Sequence, residues 1–171
     1  MTISVFGTGE VGTAVASKLK SLGHDTVFGS RHPGSDRGGI PVLSHADAAA
    51  HGNWIVNALH GEDAMAVLVP LDLGGKLLVD IGNWRSAIDS PIVETLGESL
   101  QRALPRTRVV KAMNFASAQL MGHPEKLEGI NSTFLAAHNA GARAEVRQLL
   151  ETLRPPRHRR TPRDVSPHSP A

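Results

Sequence analysis

The sequence predicts a doubly wound α/β fold, in which helices cover both faces of a mostly parallel sheet. A short β-branched strand, Ile3–Phe6, runs directly into Gly7-Thr-Gly-Glu-Val-Gly12 and then into a helical segment, Thr13–Lys20. Beyond this unit, apolar strand-like segments alternate with helical ones, which is the pattern of a parallel sheet with helical crossovers. Together these observations predict a Rossmann-type nucleotide-binding domain.

The remaining elements follow in chain order from apolar periodicity and capping residues. The predicted strands are Thr26–Phe28, Ile40–Leu43, Trp54–Leu59, Lys76–Asp80, Val109–Met113 and Thr133–Ala137. The further predicted helices are His45–His51, capped by Ser44, then Gly61–Val69, Ile92–Leu104 and Ala140–Leu153. The polar, glycine-rich segment Gly29–Gly39 is predicted to be a loop.

Composition favours one globular domain over residues 1–153. The chain has 171 residues, of which 40% are hydrophobic and 20% charged, and it contains no cysteine. Disulfides, thiolate metal sites and cysteine nucleophiles are therefore excluded. The first residues lack the pattern of a signal peptide, and no apolar run has the length of a membrane span. We expect a cytoplasmic protein without a membrane partner.

Residues 154–171 differ in composition from everything before them. They carry five arginines and one aspartate among many prolines, whereas residues 1–153 hold 13 basic and 15 acidic side chains. Such a segment cannot bury enough apolar surface to offset its ordering entropy, so the sequence predicts a disordered tail. Because the surplus of basic residues belongs to this tail, residues 1–153 lack the net positive charge typical of nucleic-acid-binding proteins. No nucleic-acid partner is expected.

The glycine turn carries the strongest functional prediction. Gly7 permits a sharp turn off the strand, Gly9 permits close approach of backbone to a pyrophosphate, and Gly12 permits helix to pack on strand. The N-terminus of the following helix offers unpaired N–H groups and a positive dipole end to the phosphates. The alternative is a purely structural turn, but the strand before and the helix after the motif favour dinucleotide binding.

The end of the second strand indicates which dinucleotide is bound. NAD-binding sites of this type place an acid there for the ribose hydroxyls, but Asp25 precedes the strand and lies at its wrong end. The correct end carries Ser30 and Arg31, a hydroxyl and a guanidinium suited to a 2′-phosphate, with Arg37 as a second cation. The alternative is that Arg31 is a solvated loop residue. NADP(H) is the predicted cofactor.

Several segments resemble one family, the NADP-binding oxidoreductases related to coenzyme F420-dependent NADP reductase. They are Gly7–Gly12, Leu22-Gly-His24, Val27–Arg31, Val79-Asp80 with Asn83, and Val109–Asn114. The resemblance covers roughly residues 1–153 and implies a fold similar to the N-terminal domain of pyrroline-5-carboxylate reductases. Its members pass hydride between NADPH and a deazaflavin.

The resemblance also implies roles for individual residues. Thr8, Gly9, Glu10 and Val11 would line the pyrophosphate turn, and Ser30 and Arg31 would hold the 2′-phosphate. Asn57, Ala58 and Leu59 would border the adenosine and ribose. Asn83, Ala112, Met113 and Asn114 would lie near the nicotinamide.

No catalytic residue or metal site is predicted. Direct hydride transfer between two bound rings needs near-attack geometry and exclusion of water rather than an acid or a nucleophile. The histidines lack metal-ligand spacing, and no G-x-S-x-G elbow is present. Asp80 leaves two interpretations open, a hydrogen bond within the crevice or a structural role in the following turn.

The sequence leaves the acceptor open. F420 is the leading small-molecule hydride acceptor; the alternatives are a non-catalytic NADP(H)-binding or redox-sensing module and an imine or ketone reductase. In the family the chain continues past Ala140–Leu153 into elements that contribute to the second substrate's side and the subunit contact. The resemblance implies a homodimer. Our hypothesis is that residues 154–171 are a truncated or frame-altered terminus, which would leave cofactor binding intact and impair dimerisation and turnover.

Overall fold

The computed structural model describes residues 1–84, 94–113, 117–123 and 133–153. Its strands are β1 (Thr2–Phe6), β2 (Asp25–Ser30), β3 (Gly34–Arg37), β4 (Ile40–Ser44), β5 (Trp54–Asn57), β6 (Leu77–Asp80), β7 (Arg108–Ala112) and β8 (Leu135–Ala136). Its helices are α1 (Glu10–Ser21), α2 (His45–His51), α3 (Gly61–Leu68), α4 (Leu96–Ala103), α5 (Ala118–Gly122) and α6 (Ala140–Thr152).

The eight strands of the described residues form one sheet in the order β3-β4-β2-β1-β5-β6-β7-β8. The six inner strands run parallel, while β3 and β8 pair antiparallel at the two edges. The sheet has a buried hydrophobic cluster on each face, one including residues of α1 and α6 and the other residues of α2, α3 and α4. The predicted doubly wound α/β fold is confirmed.

The topology places a crevice beside β1. The chain leaves β1 through α1 to β2 on one side of β1, and later places β5 on its other side. In open α/β sheets, ligands bind beyond the carboxyl ends of the strands at this point of reversal. The carboxyl ends of β1, β2, β5, β6 and β7 therefore define the edge where the predicted site residues belong.

The prediction of a polar loop over Gly29–Gly39 is wrong. Strand β2 continues to Ser30, and Gly34–Arg37 forms an edge strand that pairs with β4. Gly38 and Gly39 join the two strands with φ of 61° and 70°, as a tight hairpin turn with two positive φ angles requires. All four residues of β3 are exposed, so no hydrophobic alternation marked this strand in the sequence.

Lys20, in the last turn of α1, holds the turn in place. Its Nζ donates to the carbonyl oxygens of Gly38 and Gly39 at 3.0 and 2.8 Å. The hairpin is therefore tied to α1, the helix that follows the glycine turn.

Several predicted boundaries shift for identifiable reasons. Helix α1 begins at Glu10 rather than Thr13, because Gly9 is its extended N-cap. Helix α4 begins at Leu96 rather than Ile92, because Thr95 and Glu98 form a capping box. Strand β5 ends at Asn57 rather than Leu59.

Two further differences concern the second half of the chain. The predicted strand Thr133–Ala137 is reduced to β8, and the short helix α5, capped by the Ser117 side chain, was not predicted. No helix in the described ranges is long and apolar enough to cross a membrane. The predicted disordered tail, residues 154–171, lies outside the described residues, and the domain boundary at residue 153 stays a prediction.

Candidate functional site

The glycine turn has the geometry that its three glycines predict. Gly7 has φ of 111°, and a Cβ there would lie 2.9 Å from the Ala58 carbonyl oxygen. A Cβ on Gly12 would overlap the carbonyl oxygen of Gly7, so helix and turn touch through backbone alone. A Cβ on Gly9 would meet no protein atom within 4 Å. The turn is thus closed on its protein side and open at Gly9.

The N-terminus of α1 points its first N–H groups toward this opening. The first bond of the helix runs from the Thr13 N–H to the Gly9 carbonyl oxygen at 2.9 Å, so the N–H groups of Glu10, Val11 and Gly12 precede it. Gly9 has no side chain with which to cap them. Unpaired N–H groups and a positive dipole end favour an anion at this position.

The side of the crevice formed by β2 and the hairpin carries the two predicted cations and brings one of them, Arg37, to the glycine turn. Ser30 ends β2, and its Oγ accepts a hydrogen bond from the His32 N–H at 3.1 Å. Arg31 follows directly and is exposed. Arg37 donates from Nη1 to the carbonyl oxygen of Thr8. The edge strand that the sequence did not reveal is therefore what carries Arg37 to the glycine turn.

His45 is a residue of this region that sequence reasoning missed. It begins α2, and its ring stacks on Phe6 with 5.7 Å between ring centroids. Burial, and to a smaller extent the Arg31 guanidinium, lowers the pKa of His45 below its usual value. The sequence predicts that His45 follows the Ser44 cap, but its position beside Arg31 depends on the pairing of β2 with β4.

The segment after β5 lies beneath and beside the glycine turn. The Ala58 N–H donates to the Phe6 carbonyl oxygen at 2.9 Å. Asn57 is fully buried, and its Oδ1 accepts from the Leu59 N–H at 3.1 Å while its Nδ2 donates to Asp80 at 2.8 Å. Leu59 packs against the hydrophobic cluster on the α2–α4 face. The Asn57 side chain therefore supports the crevice from below.

The predicted nicotinamide side is formed after β6 and β7. The carbonyl oxygen of Asn83 accepts from the Gly61 N–H at 2.9 Å, which joins the segments after β5 and β6. Ala112 ends β7 and is fully buried, and Met113 follows with φ of 55°. A side-chain-bearing residue in this left-handed region is strained, and such strain clusters at functional sites. Asn114 lies outside the described residues.

Asp80, for which the sequence left two interpretations, has a structural role here. It is fully buried and accepts hydrogen bonds from Asn57 and from the Gly82 N–H, and it pairs with Lys111. Trp84 packs against Gly61 and donates from Nε1 to the Glu94 carbonyl oxygen at 3.1 Å. In the described ranges, no three His, Asp or Glu side chains are grouped so as to hold a metal ion.

Comparisons with known proteins agree with this geometry. Residues 2–84 match the family model described as NADP oxidoreductase, coenzyme F420-dependent. A solved structure from Arthrobacter sp. FB24, described as an F420-dependent NADP reductase, is 33% identical, with a TM-score of 0.80 over 90% of this chain and 80% of that one. Pyrroline carboxylate reductase of Plasmodium falciparum is 16% identical, with a TM-score of 0.63 over 90% of this chain and 55% of that one, and shows a shared fold.

A curated relative, human metalloreductase STEAP2, is 28% identical over 163 residues. The match covers 90% of this chain but 32% of the relative. The chain thus spans about a third of the length of the curated relatives that it matches first.

Proposed function

The chain belongs to the coenzyme F420-dependent NADP oxidoreductase family, and we propose that it transfers hydride between NADP(H) and an F420-type deazaflavin. The observation that carries the proposal is the glycine turn, closed by backbone contacts at Gly7 and Gly12 and open at Gly9. A dinucleotide pyrophosphate needs this combination, since it must approach the backbone closely without disturbing the packing of helix on strand.

The described residues fit the cofactor along the crevice. The first turn of α1 would hold the pyrophosphate through its N–H groups. Ser30, Arg31 and Arg37 would hold the 2′-phosphate through charge-assisted hydrogen bonds. Asn83, Ala112 and Met113 would border the nicotinamide, together with Asn114. When bound, the nicotinamide supplies the hydride, and the residues of the chain orient the ring and exclude water.

Family membership supports F420 as the acceptor, as does the Arthrobacter protein, which is similar over most of both chains. A second candidate acceptor is a metal chelate, because the curated relatives are metalloreductases and are similar over 90% of this chain. The imine or ketone reductase and the non-catalytic NADP(H)-binding module are the remaining alternatives. A homodimer and a cytoplasmic location stay proposals.

The first test is fluorescence titration of the wild type and Arg31→Ala with NADPH and NADH. Loss of one charge-assisted contact to the 2′-phosphate should cost about 1.5–3 kcal/mol, or roughly 10- to 150-fold in NADPH affinity, with NADH binding unchanged. Arg106→Ala is the matched control, since Arg106 is an exposed arginine paired with Asp72. Equal losses for both dinucleotides in Arg31→Ala would contradict the assigned 2′-phosphate contact.

The second test follows NADPH oxidation with F420, with free flavins and with a ferric chelate as acceptors. We expect turnover with F420. Turnover with the ferric chelate alone would favour a metalloreductase, and turnover with a cyclic imine would favour an imine reductase. NADPH binding without turnover on any acceptor would favour the non-catalytic module.

A further inference from the structure

A buried charged network lies at the carboxyl ends of β5, β6 and β7. Asp80 has no exposed surface, and the Lys111 side chain is 17% exposed, with its Nζ 2.9 Å from Asp80 Oδ2. Lys111 Nζ also donates to the Gly82 carbonyl oxygen. The other carboxylate oxygen of Asp80 accepts from Asn57 Nδ2 at 2.8 Å and from the Gly82 N–H at 3.1 Å. One network therefore binds the ends of three adjacent strands.

The network fixes two loops as well as three strands. Gly82 is held through both its N–H and its carbonyl oxygen, and a Cβ there would overlap the Leu59 carbonyl oxygen. The loop after β6 therefore lies directly against the loop after β5. The Gly61 N–H bond to Asn83 joins the same two loops a few residues further on.

Stability alone gives little reason for charges at this position. Removing two charges from water is costly, and apolar side chains of similar volume often stabilise a protein as well as a buried ion pair does. Unlike apolar packing, a buried network of hydrogen-bonded charges fixes one geometry for the groups that it binds. Here those groups belong to the backbone of the loop that carries Asn83.

We propose that Asp80 and Lys111 are positioning residues for the nicotinamide half of the cofactor, an inference that rests on the proposed function. They fix the position of the loop after β6 relative to the loop after β5, and so fix the position of the nicotinamide ring. The glycine turn and the end of β2 hold the pyrophosphate and the 2′-phosphate, and the segment after β5 that borders the adenosine is also held to β1 by the bond from the Ala58 N–H to the Phe6 carbonyl oxygen. Loss of the network should therefore weaken the nicotinamide half of the site selectively.

The test compares affinities for NADPH and for 2′,5′-ADP, which carries the adenosine half and the 2′-phosphate without the nicotinamide. In Lys111→Met we expect 2′,5′-ADP affinity to stay within about twofold, while the advantage of NADPH over 2′,5′-ADP falls about tenfold. Single-turnover hydride transfer to F420 should fall by at least the same factor. Protection of the Gly82 amide against hydrogen exchange should fall as well.

Two further variants keep the test decisive. Lys111→Met leaves the Asp80 carboxylate buried without its cation, so the double variant Asp80→Asn with Lys111→Met removes both charges. Its asparagine retains an oxygen for the Asn57 and Gly82 donors, and we expect the same selective loss. Lys76→Met is the matched control, because Lys76 is also a partly buried lysine, donating to the Gly52 carbonyl oxygen at 2.7 Å.

The outcomes separate the two proposals. If the wild type binds neither NADPH nor 2′,5′-ADP, the proposed function fails and this inference fails with it. If the wild type binds both and the folded Lys111 variants keep the full NADPH advantage, only the positioning role is overturned. Equal losses for both ligands, or a similar loss in Lys76→Met, would also overturn it.

Discussion

The two sides of the crevice are built in different ways. The phosphate side consists of consecutive residues, Gly7–Gly12, whose backbone conformation and lack of side chains create the shape. The side proposed for the nicotinamide is supported by a network of Asn57, Asp80 and Lys111, which lie on three strands far apart in sequence. A contiguous turn can be recognised from residue types, whereas a side-chain network exists only once the strands have paired.

The largest expected effect lies on the phosphate side. Gly12→Ala would drive a Cβ into the backbone at Gly7, and because backbone cannot move aside as a side chain can, we expect a loss of at least about 3 kcal/mol in unfolding free energy. Chemical denaturation with NADPH titration would measure it. A stable Gly12→Ala protein with normal NADPH affinity would contradict the assigned role of this glycine.

Gly9→Ala is the matched variant in the same turn. Its Cβ meets no protein atom within 4 Å, and Gly9 has an ordinary extended conformation, so unfolding free energy should change by less than about 0.5 kcal/mol. The methyl group would occupy the opening, and NADPH affinity should fall about 100-fold. Retained NADPH binding would show that the pyrophosphate does not approach Gly9.

On the nicotinamide side, backbone strain at Met113 gives the next largest effect. Met113→Ile and Met113→Leu introduce side chains of similar volume, but the β-branched isoleucine opposes a φ of 55° more strongly than leucine does. We expect Met113→Ile to be less stable than Met113→Leu by about 1–2 kcal/mol. Thermal unfolding of the two variants measures the difference, and equal stabilities would argue against strain at this position.

Arg37 connects the edge hairpin to the phosphate side. Arg37→Met removes the hydrogen bond to the Thr8 carbonyl oxygen and one of the two cations proposed for the 2′-phosphate. Because Arg31 remains, we expect NADPH affinity to fall about fivefold, which corresponds to about 1 kcal/mol. Lys20→Met is the comparison variant, because it releases the hairpin turn and keeps the Arg37 guanidinium in the chain. A larger loss in Lys20→Met would mean that the hairpin, rather than the guanidinium, matters for binding.

The smallest expected effect is the change in unfolding free energy with pH. Burial is the larger cause of the lowered pKa of both His24 and His45. Because the unfolded chain binds protons more readily at these sites, stability should fall as pH falls through about 6.5 and below. Bound NADP⁺ should raise the pKa of His45, beside Arg31, and leave that of His24 unchanged. NMR titration of both imidazoles with and without NADP⁺ tests this difference.

The fold was largely predictable because its signals are local. Strand and helix patterns, the Ser44 cap and the glycine turn all depend on residues close together in sequence, and they led to the parallel sheet and its crevice. The hairpin of β3 and β4 was missed although Gly38-Gly39 is a turn signal, since a strand with four exposed residues carries no hydrophobic alternation. Strand β8, with two residues, is too short to give a reliable pattern.

By itself, the sequence determined the fold class, the glycine turn and the Ser30-Arg31 pair at the end of β2, because each is a property of neighbouring residues. Only the tertiary structure decided that Arg37 contacts Thr8 and that His45 stacks on Phe6. It also decided that the Asp80 carboxylate accepts hydrogen bonds from Asn57 and Gly82 and pairs with Lys111. These contacts depend on strand order and register. Backbone propensity acts within a few residues, whereas a buried polar network depends on which strands become neighbours.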